Sequence, residues 1–209
     1  DDLAGPVAEG LGLPGLPDPL PAARKTVRDL PPSPALSILA NGPDSFAGRK
    51  IGILVTDGVD AAKLEEVKSA AGQAQVNVEL IAPAVGGVEA SNGNHAPAGQ
   101  KIDGGPSVLY DAVILLAAKH GTPALAAQPA VRDFVADAYA HCKFIGYTGG
   151  ASPLFQAAGL GDLTDDGFVS LDEHSAADFI TRCAKLRFWP RQASIAQRAG
   201  AAKASAGQG

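Results

Sequence analysis

Between residues 49 and 189 the chain alternates short apolar runs with stretches whose apolar positions recur every three or four residues. The runs at 50–55, 76–82, 112–117 and 143–147 read as strands buried on both faces, and a weaker one lies at 167–171. Behind Asp60, which is placed to cap a helix, Leu64, Val67 and Ala71 fall on one face, and Glu65 and Glu66 suit the positive helix end. Pro129 fits a first helical position ahead of the stripe Val131, Phe134, Val135, Ala138 and Cys142. Ser175 and Asp178 form a capping pair ahead of Phe179, Ile180, Cys183 and Leu186. Strand and helix in alternation predict a doubly wound, mostly parallel α/β sheet with helices on both faces.

The flanks have a different texture. Nine of the 16 prolines precede Ala47, at positions 6, 14, 17, 19, 21, 31, 32, 34 and 43. Proline lacks a backbone donor and restricts the residue before it, so this stretch reads as an extended Pro-rich linker over 14–47. Ahead of it, Leu3, Val7 and Leu11 keep a spacing of four up to Gly12, the signature of the last turns of a helix over 1–13. Residues 84–107, with Asn92-Gly93 and Gly104-Gly105, read as a hairpin excursion. Residues 190–209 are mostly Ala, Ser, Gln and Gly with Arg191, Arg198 and Lys203 and no acids, which predicts a disordered tail. The compact domain is therefore expected over 48–189.

Composition narrows the class. A formal charge of -5 argues against a nucleic-acid footprint, which needs clustered cations, and neither end offers a membrane segment or a signal. Two cysteines, Cys142 and Cys183, are too few for a secreted disulfide framework, so a cytoplasmic location is expected. The chain starts at Asp1 and contains no methionine, which we read as a piece of a longer protein.

Candidate chemistry gathers where strands end. Three loops leave carboxyl ends: 56–60 (Thr-Asp-Gly-Val-Asp), 119–123 (Lys-His-Gly-Thr-Pro) and 147–153 (Tyr-Thr-Gly-Gly-Ala-Ser-Pro). The third has a strand, a small-residue turn, and a helix capped by Ser152 with Pro153 at its first position, which is the layout of a nucleophile elbow. This arrangement resembles the class I glutamine-amidotransferase-like superfamily in its PfpI-type, flavodoxin-like branch. Thr148 matches the position of that branch's elbow cysteine, and Asp60 matches the acid that supports it. The runs 33–37 (Ser-Pro-Ala-Leu-Ser) and 45–58 (Ser-Phe-Ala-Gly-Arg-Lys-Ile-Gly-Ile-Leu-Val-Thr-Asp-Gly) are similar to the junction where large-subunit haem catalases pass into their appended C-terminal domain.

On this resemblance the leading reading is a non-catalytic auxiliary domain of a catalase subunit, contributing to its stability, its assembly or access to the buried haem channel. Its partners would be the remainder of that subunit and other subunits of a homo-oligomer, a homotetramer in the parent. The parent would dismute hydrogen peroxide with a haem, and no cofactor is expected in this chain. The tyrosines Tyr110, Tyr139 and Tyr147 have no claim to be the haem ligand. Several residues depart from the active branch. Thr148 carries a hydroxyl that is inert without a strong base, Gly149 stands where some PfpI-type proteins have histidine, and Ala117-Ala118-Lys119-His120 replaces an expected Gly-Gly pair.

The site is therefore expected to be vestigial, with Thr148, Asp60 and His120 as its candidates and no metal. We expect Thr148 at negative φ with its hydroxyl tied to a backbone group or to Asp60. Asp60 is fully explained as an N-cap and His120 as a solvated loop histidine. His95, His141 and His174 share no metal-ligand spacing with the cysteines, and both cysteines are expected on apolar helix faces. Two other readings stay open: a small hydrolase or deglycase with Thr148 as nucleophile, His120 as base and Asp60 as orienter, and a module binding an anion or an unfolded client.

Overall fold

The computed structural model describes residues 3–161 and 165–206, with side chains at 199–206 left aside. The chain divides into two compact units, Asp1–Asn41 and Gly42–Gly209. The first holds helix α1 (Ala4–Gly10) and a 3-10 turn at Pro34–Leu36, joined by chain without regular structure. Its apolar side chains are largely exposed, among them Leu3, Leu20, Leu30 and Leu39.

The second unit carries strands β1 (Lys50–Val55), β2 (Asn77–Ala82), β3 (Val88–Glu89), β4 (His95–Ala96), β5 (Gln100–Lys101), β6 (Ala112–Leu116), β7 (Ile145–Tyr147) and β8 (Phe168–Ser170). Its helices are α2 (Ala61–Gln73), α3 (Thr122–Ala126), α4 (Pro129–Ala140), α5 (Ser152–Ala157), α6 (Ala176–Cys183) and α7 (Arg191–Ala206). Six strands form one sheet in the order β5-β2-β1-β6-β7-β8, and every pairing in it is parallel. The order reverses between β1 and β6, so the crevice beyond their carboxyl ends is the topological switch point.

Two apolar layers cover the sheet. Ile51, Ile53 and Val55 of β1 join Leu64 and Val67 of α2 and Phe179 and Ile180 of α6 on one face. Leu54, Val113 and Leu115 join Val131, Phe134 and Val135 of α4 on the other, because successive strand side chains point to opposite faces. The caps form as read: Asp60 Oδ1 accepts from the Lys63 N–H at 3.0 Å, and Ser175 and Asp178 make a reciprocal capping box. Glu66 adds a cap that sequence reasoning missed. From α2 its Oε1 accepts the Ala176 N–H, at the start of α6, at 2.9 Å; the Lys63 ammonium, and after it this N–H, hold its carboxyl below the usual range.

Four expectations change. Residues 84–107 hold more than a hairpin: β3 and β4 pair antiparallel, but β5 returns to extend the main sheet beside β2. Ser152 is the first residue of α5 rather than its cap, since a 3-10 turn at Gly149–Ala151 runs straight into the helix. Cys142 is buried, yet it lies just past α4 at φ +53 and not on its face. The tail carries a helix where none was expected: α7 spans Arg191–Ala206 and starts at the buried Arg191, while 207–209 lie outside the described residues.

Candidate functional site

At the switch point the three loops interlock through short, named contacts. Thr56, buried after β1, accepts the Ala118 N–H on its Oγ1 at 2.8 Å and so joins the end of β1 to the end of β6. Gly58 turns the first loop at φ +76, and any Cβ there would stand 2.2 Å from the His120 imidazole, so the glycine makes room for that ring. Thr122 is fully buried, with its hydroxyl 2.8 Å from the Ala118 carbonyl and 3.0 Å from that of Gly150. Its single proton serves one carbonyl at a time, and either bond ties the start of α3 into the elbow.

The elbow itself is a close-packed turn. A Cβ on Gly150 would fall 1.9 Å from the Ala117 carbonyl oxygen, so only glycine lets the third loop pass against the second. Thr148 has φ -107 and ψ 162, ordinary extended backbone, as expected from the crowding of a β-branched residue at positive φ. The expected tether of its hydroxyl is not found: among the described residues Thr148 bonds only through its backbone, its N–H donating to the Leu115 carbonyl at 3.2 Å and its carbonyl accepting from Ala151 at 2.9 Å. The next donor is engaged. The Gly149 N–H, which follows the nucleophile position and in an active elbow would face an oxyanion, donates to Asp172 Oδ2 at 2.7 Å. Asp172 follows β8 and was not singled out from sequence, since no local pattern marks an acid 23 residues from the backbone group it caps.

Together these loops line a cleft of about 380 Å³, bordered by Gly58, Asp60, Lys119, His120, Thr148 and Asp172. Tertiary structure thus brings Thr148, Asp60 and His120 to one crevice without linking them. Asp60 spends its carboxylate on the α2 backbone, and Lys63 pairs with Glu66 at 2.7 Å. His120 makes no hydrogen bond among the described residues, so there is no nucleophile–base–orienter relay. Neither cysteine substitutes for the missing nucleophile, because burial pushes both thiols up, Cys183 most strongly. No group of three or more His, Cys, Asp or Glu able to hold a metal occurs among the described residues.

Haem, the cofactor implied for a parent enzyme, does not suit Tyr110. The Tyr110 hydroxyl donates to Glu79 Oε2 at 3.0 Å, and burial with that carboxylate pushes its pKa up, opposite to what a phenolate ligand needs. Tyr139 lies under the Arg191 guanidinium, and Tyr147 stacks edge-on against Phe155.

The comparisons agree with this architecture. The C-terminal domain found in long catalases matches residues 47–193. Catalase C of Rhizobium meliloti is 50% identical over 196 residues, which is 93% of this chain and 28% of that protein. Catalase HPII of Pseudomonas putida is 34% identical over 92% of this chain and 26% of its own length. The chain thus spans between a quarter and a third of these relatives. Among solved structures, a DJ-1 superfamily protein from Salmonella typhimurium aligns with a TM-score of 0.54 at 22% identity, over 74% of this chain and 98% of that one. Drosophila melanogaster DJ-1beta gives 0.55 at 13%, over 71% and 96%. These two share the fold, while the catalase matches define the family. The chain belongs to the family of C-terminal domains found in long catalases.

Proposed function

We propose that this chain is a non-catalytic auxiliary domain of a long haem catalase, and that it stabilises the subunit or its assembly while peroxide is dismuted elsewhere in the protein. The observation that carries the reading is the filled elbow: the Gly149 N–H is held by Asp172, beside a threonine with no base bonded to its hydroxyl. Hydrolase chemistry at Thr148 would require that donor to be vacated and a proton acceptor to be supplied, so the auxiliary role is favoured. Haem, the other subunits and a cytoplasmic location belong to the same proposal. No helix among the described residues is long and apolar enough to cross a membrane.

Two measurements test it. Deleting the domain from Gly42 onward in the full-length parent should leave turnover per haem unchanged while shortening the half-life of activity on heating or shifting the oligomer to smaller species. Unchanged thermal inactivation and assembly would refute the supporting role. Separately, the chain should not turn over generic esters or peptide substrates. A rate abolished by Thr148→Ala would instead establish the hydrolase.

A further inference from the structure

A second concavity lies at the opposite end of the sheet from the elbow, among residues that precede strands rather than follow them. It is a pocket of about 290 Å³ lined by Val108, His141, Lys143, Arg187, Trp189 and Gln192, among others. Lys143, immediately ahead of Phe144 and β7, is 2% exposed, and its ammonium donates to two backbone carbonyls, Ser107 O by a short bond and Tyr110 O at 2.6 Å. An ammonium has three donors, so one N–H remains beyond these two. Arg187 likewise spends its guanidinium on carbonyls, reaching Asp111 O at 3.1 Å and Leu186 O at 2.8 Å.

Among the described residues neither cation has a carboxylate in contact. The acids that act on Lys143 through space are Asp111 and Asp137. Asp111 is committed to Arg49 at 3.5 Å and to the Lys50 N–H at 3.1 Å, and Asp137 lies exposed on α4. Two positive groups that feel one another, in a partly buried corner and with no carboxylate in contact among the described residues, make an environment that buried charges normally avoid unless something neutralises them. On Lys143, burial and then the Arg187 charge pull the pKa down to about 8, against the opposing pull of Asp111 and Asp137. Beside the cations the wall is apolar and open: Val108 is 66% and Trp189 43% exposed, against a unit whose large apolar side chains are otherwise mostly buried.

We infer that this pocket is a binding site for a small oxyanion, a carboxylate or phosphate group carried on an apolar or aromatic body. Lys143 and Arg187 neutralise the anion, and Val108 and Trp189 flank the body it is attached to. The volume sits at the lower limit of small-molecule sites, which suits a ligand of one ring and one anionic group and leaves no room for a dinucleotide. The cleft at the elbow plays no part in this site, so its fate is independent of the auxiliary-domain reading.

Trp189 is the single tryptophan of the chain, so its fluorescence reports directly on the pocket. The intact chain is titrated with benzoate, phenyl phosphate and inorganic phosphate at constant ionic strength, with chloride as the reference salt. Benzoate and phenyl phosphate should each give a saturable change at lower concentration than inorganic phosphate, and whichever of the two binds more tightly identifies the anion. Arg187→Gln and Lys143→Met should each raise the midpoint at least tenfold, whereas Lys119→Gln, in the other cleft, should leave it unchanged. If circular dichroism shows that Lys143→Met fails to fold, Arg187→Gln decides alone. A response that does not saturate, that chloride reproduces, or that survives Arg187→Gln with the same midpoint would overturn the assignment.

Discussion

Arg191 and Asp165 form a two-pronged ion pair, Nε to Oδ2 at 2.7 Å and a terminal guanidinium nitrogen to Oδ1 at 2.8 Å, with the arginine side chain wholly enclosed. The same guanidinium donates to the Lys143 carbonyl at 2.6 Å and lies over the rings of Tyr139 and Phe168, each at 4.9 Å. One side chain at the start of α7 therefore fastens the C-terminal helix to the chain ahead of β7 and to the segment before β8. Removing one partner of a buried pair leaves the other uncompensated, at a cost of about 3–5 kcal/mol. Asp165 keeps some solvent contact, which places this case toward the lower figure. Arg191→Ala should lower the urea midpoint accordingly, and Arg191→Lys should recover only part of it, because a lysine lacks the planar fork. An unchanged midpoint in Arg191→Ala would remove the anchoring role.

The same anchor sets the protease-resistant boundary. Limited proteolysis should cut within the first 41 residues, where apolar side chains are exposed and regular structure is sparse, and leave a fragment that begins near Gly42. Its carboxyl end should extend past Arg191 instead of stopping near Trp189. Mass spectrometry of the limit fragment checks both ends.

Two adjacent glycines in the elbow should respond very differently to alanine. At Gly150 the added Cβ meets the Ala117 carbonyl oxygen at 1.9 Å, a backbone atom that cannot swing aside. At Gly149 the nearest neighbour is the Asp172 carboxylate at 3.3 Å, which can move by a few tenths of an ångström. Gly150→Ala should thus cost about 3 kcal/mol or prevent folding, the upper end of overpacking penalties. Gly149→Ala should remain within about 1 kcal/mol of the parent. Thermal unfolding of the two variants side by side tests the contrast.

Acid stability should depend on Glu79. Lys50 pairs with it at 2.6 Å and Tyr110 donates to it, and together they hold its carboxyl below the ordinary glutamate value of 4.5. A carboxyl lowered in the folded state stabilises the fold above the unfolded value, and that contribution is lost as pH falls through the lowered value. Glu79→Gln should therefore be less stable than the parent at pH 6, with the gap closing as the pH drops below 4.5. Urea unfolding at the two ends of that range measures it, and a gap that stays constant would exclude the linkage.

Capping energies offer a further check. Asp60→Ala removes the acceptor for the Lys63 N–H and should cost about 1 kcal/mol by urea unfolding. Asp60→Asn, which keeps an acceptor oxygen, should recover most of that loss.

Much of this was legible in the residues themselves. The apolar runs at 50–55 and 112–117, the caps at Asp60 and Ser175 and the proline at the first position of α4 are local signals, so the sequence by itself determined the strand–helix alternation, the parallel sheet and the cap chemistry. The crowding of a β-branched side chain likewise foretold the negative φ of Thr148. Tertiary structure alone decided the rest, because those contacts join residues distant in sequence: Asp172 on the Gly149 N–H, Glu66 on the start of α6, and the meeting of Lys143 and Arg187 in one pocket. The tail shows why. Residues from Arg191 onward have a polar composition that reads as disorder, yet one guanidinium finds a carboxylate 26 residues earlier and an aromatic enclosure. No local pattern encodes that pairing, since its energy comes from burial and charge neutralisation that exist only after β7 and β8 have brought the partners together.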